Sequence, residues 1–356
     1  MMFIVESYGL AVAFCCVSML CWGSWANTQK LAAKSWRYEL FYWDYAIGTF
    51  LLALLGAFTL GSFGTEGRSF LEDVAQANGS GILLLLLAGT IFNISNIMLA
   101  ASTSIAGMAV AFPLGVGTAL VVGVIGNYIV AASEGARTGN IPLLAAGVLL
   151  VGAAIVLNGL AAGKRAARGS QAEAKAGGDE ASEQAAGSAL GKGVLLAILS
   201  GIIMSVPSIF TVKAMDTSNF AAPAPGRVTP YTAVVFYTLG IVLSNLIFNT
   251  LMMRRPISGE PVSYRDYFKG RLGTHLVGVL GGSIWCLASL LNYISAEKAG
   301  PAVSYALGQG APIIAAVWGV FIWKEFKVAG RGVSRMLAAM FCLFIGGLAL
   351  IVAAGR

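Results

Sequence analysis

The sequence predicts an all-α integral membrane protein of ten transmembrane helices, arranged as two inverted five-helix repeats. Three observations predict it. Apolar residues make up 57% of the chain and charged residues only 11%, against about 25% charged in an ordinary soluble domain. Apolar stretches long enough to cross a bilayer recur along the whole chain. Two distant stretches also align at a constant offset with matching glycines.

A spanning helix needs about 20 mostly apolar residues. Ten segments qualify in order: 6–27, 42–63, 80–102, 107–131, 141–162, 193–214, 231–252, 273–295, 301–323 and 333–354. Residues 163–191, GKRAARGSQAEAKAGGDEASEQAAGSALG, are Ala/Gly-rich with mixed charge and read as a disordered linker. The expected division is therefore an N-terminal repeat 1–162, a linker 163–191 and a C-terminal repeat 192–356.

Basic residues set the orientation. With ten spans, one set of connections carries most of the 23 Lys and Arg residues, including Lys164, Arg165 and Arg168, then Arg254, Arg255, Arg265, Lys269 and Arg271. Positive-inside bias places the linker in the cytoplasm and both termini outside, in an inner membrane. The net charge of +7 is then topology, and no nucleic-acid partner is implied. Trp36, Trp43 and Trp323, near span ends, read as interfacial anchors.

The repeat aligns GTIFNISNIMLAASTSIAGMAVAFPLGVGTALVVGVIG, residues 89–126, with GSIWCLASLLNYISAEKAGPAVSYALGQGAPIIAAVWG, residues 282–319. Gly89 pairs with Gly282, Phe92 with Trp285, Gly107 with Gly300, and Gly115 with Gly308. An odd number of helices per copy requires the copies to be inverted, as in many alternating-access transporters. Pro113 and Gly115 interrupt span 4, and Gly308, Gly310 and Pro312 interrupt span 9. Paired breaks of this kind mark a midplane binding site in such proteins.

Polar residues within spans are costly in hydrocarbon and should face the bundle interior. In FCCVSMLCWGSWANTQK, Ser18, Trp22, Trp25 and Gln29 fall on one helical face. Span 3 offers Asn93 and Asn96, span 8 offers Trp285, Ser289 and Asn292, and span 9 offers Tyr305 and Gln309. Span 7 adds Tyr237, Ser244 and Asn245. Together these rings and amides suit a flat or ring-shaped polar solute, stacked on its faces and hydrogen-bonded at its edges. Each Asn taken singly is also explained by an interhelical hydrogen bond.

Two carboxylates stand out. Asp44, in FYWDYAIGTF, lies within span 2, and Glu6 opens span 1. An embedded carboxyl can take up and release a proton as its surroundings change. Asp44 is the candidate for proton coupling and Glu6 a weaker second. The competing reading makes Asp44 an interfacial residue paired with Lys30, Lys34 or Arg37, and leaves Glu6 a solvated helix start. His275, the sole histidine, reads as interfacial.

No phosphate-binding GxxxxGK[ST] loop, HExxH or GxSxG motif is present, and no His/Cys/carboxylate spacing suggests a metal. The five cysteines all lie within apolar segments. These absences point away from an enzyme, a cofactor or a metal, and toward gradient-driven transport.

The stretches FIVESYGLAVAF, CWGSW and FYWDYAIGTFLLALLGAFTLGSFG resemble the start of the ureide permeases. The likeness continues through NISNIMLAASTSIAGMAVAF, TPYTAVVFYTLGIVLSNLIFN and APIIAAVWGVFIWKEFKVAGR. The resemblance implies membership of the drug/metabolite transporter superfamily, beside rhamnose and glucose uptake proteins. It implies proton-coupled uptake of a small neutral polar ring compound, since plant members carry allantoin, uracil and xanthine. Glu6, Gly9, Gly23, Trp25, Asp44 and Tyr45 are the positions it carries over. The short linker departs from the longer plant loop, as do Pro113 and the Gly308-Gln309-Gly310 stretch. The alternatives are a proton-coupled monosaccharide symporter and, disfavoured by the asparagines, a drug or metabolite exporter. The expected partners are the solute, protons and the lipid bilayer.

Overall fold

The computed structural model describes all residues except 134–139, 176–179, 218, 258, 300–303, 305, 306, 309, 327–329, 355 and 356. Among the described residues its regular elements are helices, with two isolated bridges, Met2 to Glu66 and Met215 to Val228, in the connections. In chain order the helices are α1 (Tyr8–Ser24), α2 (Ala26–Ala32), α3 (Tyr38–Phe58), α4 (Phe70–Gln76), α5 (Gly79–Ala106), α6 (Met108–Ser133) and α7 (Ile141–Lys175). There follow α8 (Glu180–Met204), α9 (Pro207–Ala214), α10 (Pro230–Arg254), α11 (Tyr264–Phe268) and α12 (Leu272–Ala299). Last come α13 (Ala311–Val317), a π-helical turn (Trp318–Ile322) and α14 (Gly330–Ala354). Helix α7 continues to Lys175 and α8 begins at Glu180, so helix enters the stretch read as a linker from both sides.

The span count corrects the sequence expectation. Among the described residues, eight helices are long and apolar enough to cross a membrane. They are Tyr8–Ala32, Tyr38–Phe58, Gly79–Ala106, Ile141–Arg165, Gly187–Ala214, Pro230–Arg254, Leu272–Ala299 and Gly330–Ala354. The segments expected as spans 4 and 9 give only the shorter apolar helices Met108–Gly123 and Ala311–Ile322. Eight spans cannot divide into two five-helix copies, and no inverted five-plus-five repeat is indicated. Helix α6 runs through Pro113 without a break, and the apolar part counted among the described residues ends at Gly123. In the other segment α13 begins at Ala311, behind the N-cap Gly310, and passes into the π-helical turn before Trp323.

The chain forms two compact units. The first comprises Met1–Ile97 and Val206–Gly308, the second Met98–Ser205 and Gln309–Arg356.

In the first unit, α3 packs between α10 and α12, and α1 packs on α12. Small residues allow the close crossing: a Cβ on Gly282 would run into the carbonyl of Tyr45, and one on Gly48 into that of Val279. Polarity is reversed relative to a soluble helix. Ile47, Leu51, Leu55 and Phe58 form the exposed stripe of α3, whereas Tyr42, Asp44, Tyr45 and Thr49 are buried. Helix α10 exposes Leu243, Leu246, Ile247 and Leu251 and buries Thr238, Ser244, Asn245 and Asn249. Apolar side chains therefore meet lipid while polar ones meet each other, the arrangement hydrocarbon enforces.

Outside the spans this unit is fastened by Asp73 of α4. Its carboxylate takes Arg68 Nε at 2.9 Å and the Thr229 backbone N–H at 2.7 Å. Arg68 in turn donates to the carbonyls of Pro223 and Arg227.

In the second unit, α7 packs along α14, and α6 packs against α7, α8 and α13. Gly107 (φ 87°) makes the left-handed corner between α5 and α6. The Glu325 carboxylate caps the new helix, accepting from Met108 N at 3.1 Å and Ala109 N at 3.0 Å. Arg165 closes the same corner by donating to the Ala106 carbonyl at 3.1 Å.

Candidate functional site

The stripe on α1 turns inward. Ser18 and Trp25 are buried, and Trp22 donates its indole N–H to Ser289 Oγ of α12 at 3.3 Å. Trp25 lies against Tyr45, ring centroids 4.8 Å apart. Tyr45 stacks on Tyr42 at 5.1 Å and reaches Trp285 at 6.5 Å. Trp285 meets Phe92 at 4.7 Å and lies nearly parallel to Tyr237 at 6.2 Å. Four helices, α3, α5, α10 and α12, and Trp25 at the α1–α2 junction thus contribute rings to one buried aromatic group.

Amides border that group. Asn96 donates to Tyr42 Oη at 3.1 Å, and Asn93 to Ser244 Oγ at 3.0 Å. Asn292 donates to the Ser304 carbonyl at 3.0 Å, and Ser304 returns a bond to the Asn292 carbonyl. Gly308 completes this corner. A Cβ there would lie 2.6 Å from the Trp22 ring and 3.3 Å from Asn292 Nδ2. Not every buried polar atom is matched. Asn93 Oδ1 and both amide atoms of Asn245 have no hydrogen-bond partner, although Asn245 is fully buried. Such atoms cost free energy unless something satisfies them.

Asp44 lies in the same stretch of α3, between Tyr42 and Tyr45, and is 1% exposed. Its Oδ1 accepts from Tyr267 Oη at 2.6 Å and lies 2.8 Å from His275 Nδ1. Its Oδ2 accepts from the Trp36 indole at 3.2 Å. The α12 backbone comes this close because position 278 is glycine, where a Cβ would overlap the Asp44 side chain. Tyr267 lies outside the spans, and burial pushes its phenol well above the ordinary range, with the adjacent Asp44 acting in the same direction. Nearby, Glu39 is fully buried and paired with Arg37 at 2.6 Å. Arg37 also donates to the Glu260 carbonyl, which ties the α2–α3 connection to the α10–α11 connection.

The sequence-derived residues therefore separate. The first unit gathers Trp22, Trp25, Asn93, Asn96, Trp285, Asn292 and Gly308 around its aromatic group, and gives Asp44 a different set of partners, Trp36, Tyr267 and His275. Glu6 is exposed ahead of the α1 N-cap Ser7. Pro113, Gly115, Gly310 and Pro312 belong to the second unit. There, Gly115 faces Leu99 and the Ala197 carbonyl, and buried Gly310 precedes α13 as its N-cap. Tyr305 and Gln309 lie outside the described residues. Trp36, Tyr267 and His275 were not anticipated as partners of Asp44. Among the described residues, no group of three His, Cys, Asp or Glu could hold a metal ion.

Membrane-crossing helices that hide rings and amides from lipid define a multi-pass membrane transport protein. The comparison with known proteins agrees. The ureide permease family model matches residues 164–354, more than half of the chain, and the protein belongs to that family. Ureide permease 1 and ureide permease 2 of Arabidopsis thaliana are each 23% identical to it, over 99% of this chain and 98% of theirs. Probable ureide permease A3 of Vigna unguiculata is 28% identical over 129 residues, 35% of this chain and 34% of its own.

Proposed function

We propose that the protein carries a small, neutral, polar ring compound of the ureide or oxo-heterocycle class into the cell, coupled to protons. One observation carries this reading: the buried aromatic group is bordered by amides, and Asn93 among them keeps an unmatched oxygen. Rings stack on a planar solute, and an amide offers a donor and an acceptor side by side. A urea or lactam edge presents the complementary pair. The names of the relatives, all ureide permeases, support the same class.

Asp44 is the proposed proton carrier. It is a buried carboxylate whose bonding partners are a phenol, an indole and an imidazole, and an imidazole nitrogen can give or take a proton. Glu39, by contrast, is held by a permanently charged Arg37. The basic connections around α2 and α11 face the cytoplasm of an inner membrane in this reading.

The test is charge movement in proteoliposomes under rapid solution exchange. Allantoin, uracil and xanthine are compared with rhamnose, glucose and ribose at two pH values. The expected result is a transient current with members of the first group, larger when the solute side is acidic. Currents with the sugars alone would overturn the substrate class and favour a monosaccharide symporter. A current independent of pH would overturn proton coupling.

A further inference from the structure

We propose that Asp44 and His275 form one proton-carrying unit, with the coupling proton held between Asp44 Oδ1 and His275 Nδ1. This deepens, and rests on, the reading of Asp44 as the proton carrier. It adds a second titrating residue, and it assigns Tyr267 of α11 as the group that orients both.

The argument begins with donor inventory. An ionised carboxylate only accepts hydrogen bonds, whereas a protonated one must also place an O–H. Of the three groups around Asp44, the Trp36 indole can only donate, so it cannot receive that proton. The Tyr267 hydroxyl and an imidazole nitrogen can each act either way. Both lie on the Oδ1 side, at 2.6 and 2.8 Å. A proton on this carboxyl is therefore drawn to Oδ1, on the line toward His275. When it moves to Nδ1, the carboxylate regains its negative charge and the imidazole gains a positive one. Tyr267 meanwhile keeps its hydroxyl on Oδ1 as a donor. When it returns to Oδ1, the phenol oxygen can turn to accept. One proton enters and one leaves, with no change in covalent structure.

The site is shaped for this pair. His275 is part-exposed while Asp44 is sealed, so the imidazole is the route by which the carboxyl reaches water. Trp36 stands edge-on to the imidazole with ring centroids 5.0 Å apart, and Tyr267 does so at 4.8 Å. Both rings fix its plane. Gly270 closes the outer side, where a Cβ would strike both the His275 ring and Trp36.

The other charged groups on the surrounding elements are less suited to share the proton. Glu39 is engaged by Arg37. Asp266 of α11 is bonded to Ser263. Arg265, Lys269 and Arg271 around α11, Arg254 and Arg255 at the end of α10, and Lys34 after α2 are exposed basic side chains. Lys30 of α2 is a further cation, half-buried.

The test uses the full chain in proteoliposomes and exploits its single histidine. Selective 15N-histidine labelling reports on His275 alone. In the wild type, the imidazole signal should change over the same pH range as the uracil- or allantoin-driven current, as coupled groups require. Asp44→Asn should move the imidazole transition. His275→Gln should displace the midpoint of the transport profile by about one pH unit or more, while proton-independent exchange of labelled solute persists. Tyr267→Phe should give a smaller displacement. An imidazole transition indifferent to Asp44→Asn, or a His275→Gln profile identical to wild type, overturns the proposal. If Asp44→Asn itself still concentrates solute with unchanged pH dependence, the underlying reading of Asp44 fails instead. Should His275→Gln not fold, or neither solute give a current, the labelled wild-type and Asp44→Asn proteins decide through the imidazole signal.

Discussion

Asn158 Nδ2 donates at 2.7 Å to the backbone carbonyl of Ala109. That carbonyl would ordinarily accept from the residue four positions on, which is Pro113, and proline has no N–H to give. The side chain of α7 thus replaces the hydrogen bond that α6 cannot make, and both groups are buried. Asn158→Leu should destabilise the protein by about 1–3 kcal/mol, the cost of an orphaned buried acceptor. Pro113→Ala restores the N–H and should recover part of that loss in the double variant. Thermal unfolding in detergent checks both. Additive effects would show that Asn158 and Pro113 are not linked through Ala109.

The glycine contacts give a second prediction. A Cβ on Gly282 would overlap the Tyr45 carbonyl, whereas one on Gly152 of α7 would meet nothing within 4 Å. Gly282→Ala must push α12 from α3 and disturb the Tyr45–Trp285 contact. It should lower the melting temperature and solute uptake together, by about 1–3 kcal/mol in stability. Gly152→Ala should be neutral or slightly stabilising, because alanine favours helix over glycine. Equal effects at the two positions would refute the close-crossing argument.

How much of this was legible in the sequence depends on the range of each interaction. Composition fixes the solvent, and helical periodicity alone turned Ser18, Trp22 and Trp25 inward, because both are local properties. The burial of Asp44 was also readable from its apolar neighbours. Its partners were not, since His275 and Tyr267 lie more than 220 residues away in sequence. Trp36 was read as an interfacial anchor because a tryptophan near a span end carries no mark of an acceptor behind it. The span count failed for a different reason. Hydropathy is nearly blind to backbone geometry, so a segment in which α13 begins at Ala311 and passes into a π-helical turn scores like a continuous span.

Helix α11, which carries Tyr267, should be insensitive to pH between 8 and 5. Ser263 caps it. The Ser263 hydroxyl and N–H donate to Asp266 at 2.7 and 2.9 Å and hold its carboxyl below the usual carboxylate range. A depressed folded value means the contribution is complete above the unfolded value of about 3.9 and is lost as pH falls through the lower, folded one. Hydrogen exchange at residues 263–269, corrected for intrinsic rates, should show equal protection at pH 8 and pH 5. Ser263→Ala should reduce it at both. Loss of protection between pH 8 and 5 in the wild type would mean that α11 is itself the pH sensor.

Asp73 organises the connection outside the spans, so its loss should exceed that of a surface ion pair. It is fully buried, and its two oxygens serve Arg68, Gln76 and the Thr229 N–H. Asp73→Ala leaves the last two donors and a partly buried guanidinium without their acceptor. The expected cost is about 3–5 kcal/mol, the range for breaking a buried pair from one side. Arg68→Ala should cost less, because Asp73 keeps Thr229 and Gln76. Chemical denaturation of the two variants should preserve that order, and a reversed order would place the anchoring role on Arg68.

Asn245 offers the sharpest separation of stability from function. Its amide is fully buried and neither atom is hydrogen-bonded, a state that costs roughly 1–3 kcal/mol. One residue earlier, Ser244 takes the Asn93 amide, and four residues later Asn249 donates to the Glu39 carbonyl at 2.8 Å. Helix α10 therefore uses its neighbouring polar residues to hold α5 and α3, and leaves this one unspent. A residue kept for the solute should be stability's loss and binding's gain. Asn245→Leu, which keeps the same branched arrangement of side-chain heavy atoms, is then expected to raise the melting temperature while raising the KM for the transported solute tenfold or more. Asn245→Gln, which keeps both polar atoms on a longer arm, should retain weakened transport. If Asn245→Leu instead lowers stability and leaves the KM unchanged, the amide has a structural partner in the membrane, and solute recognition must be sought at Asn93 and Asn96.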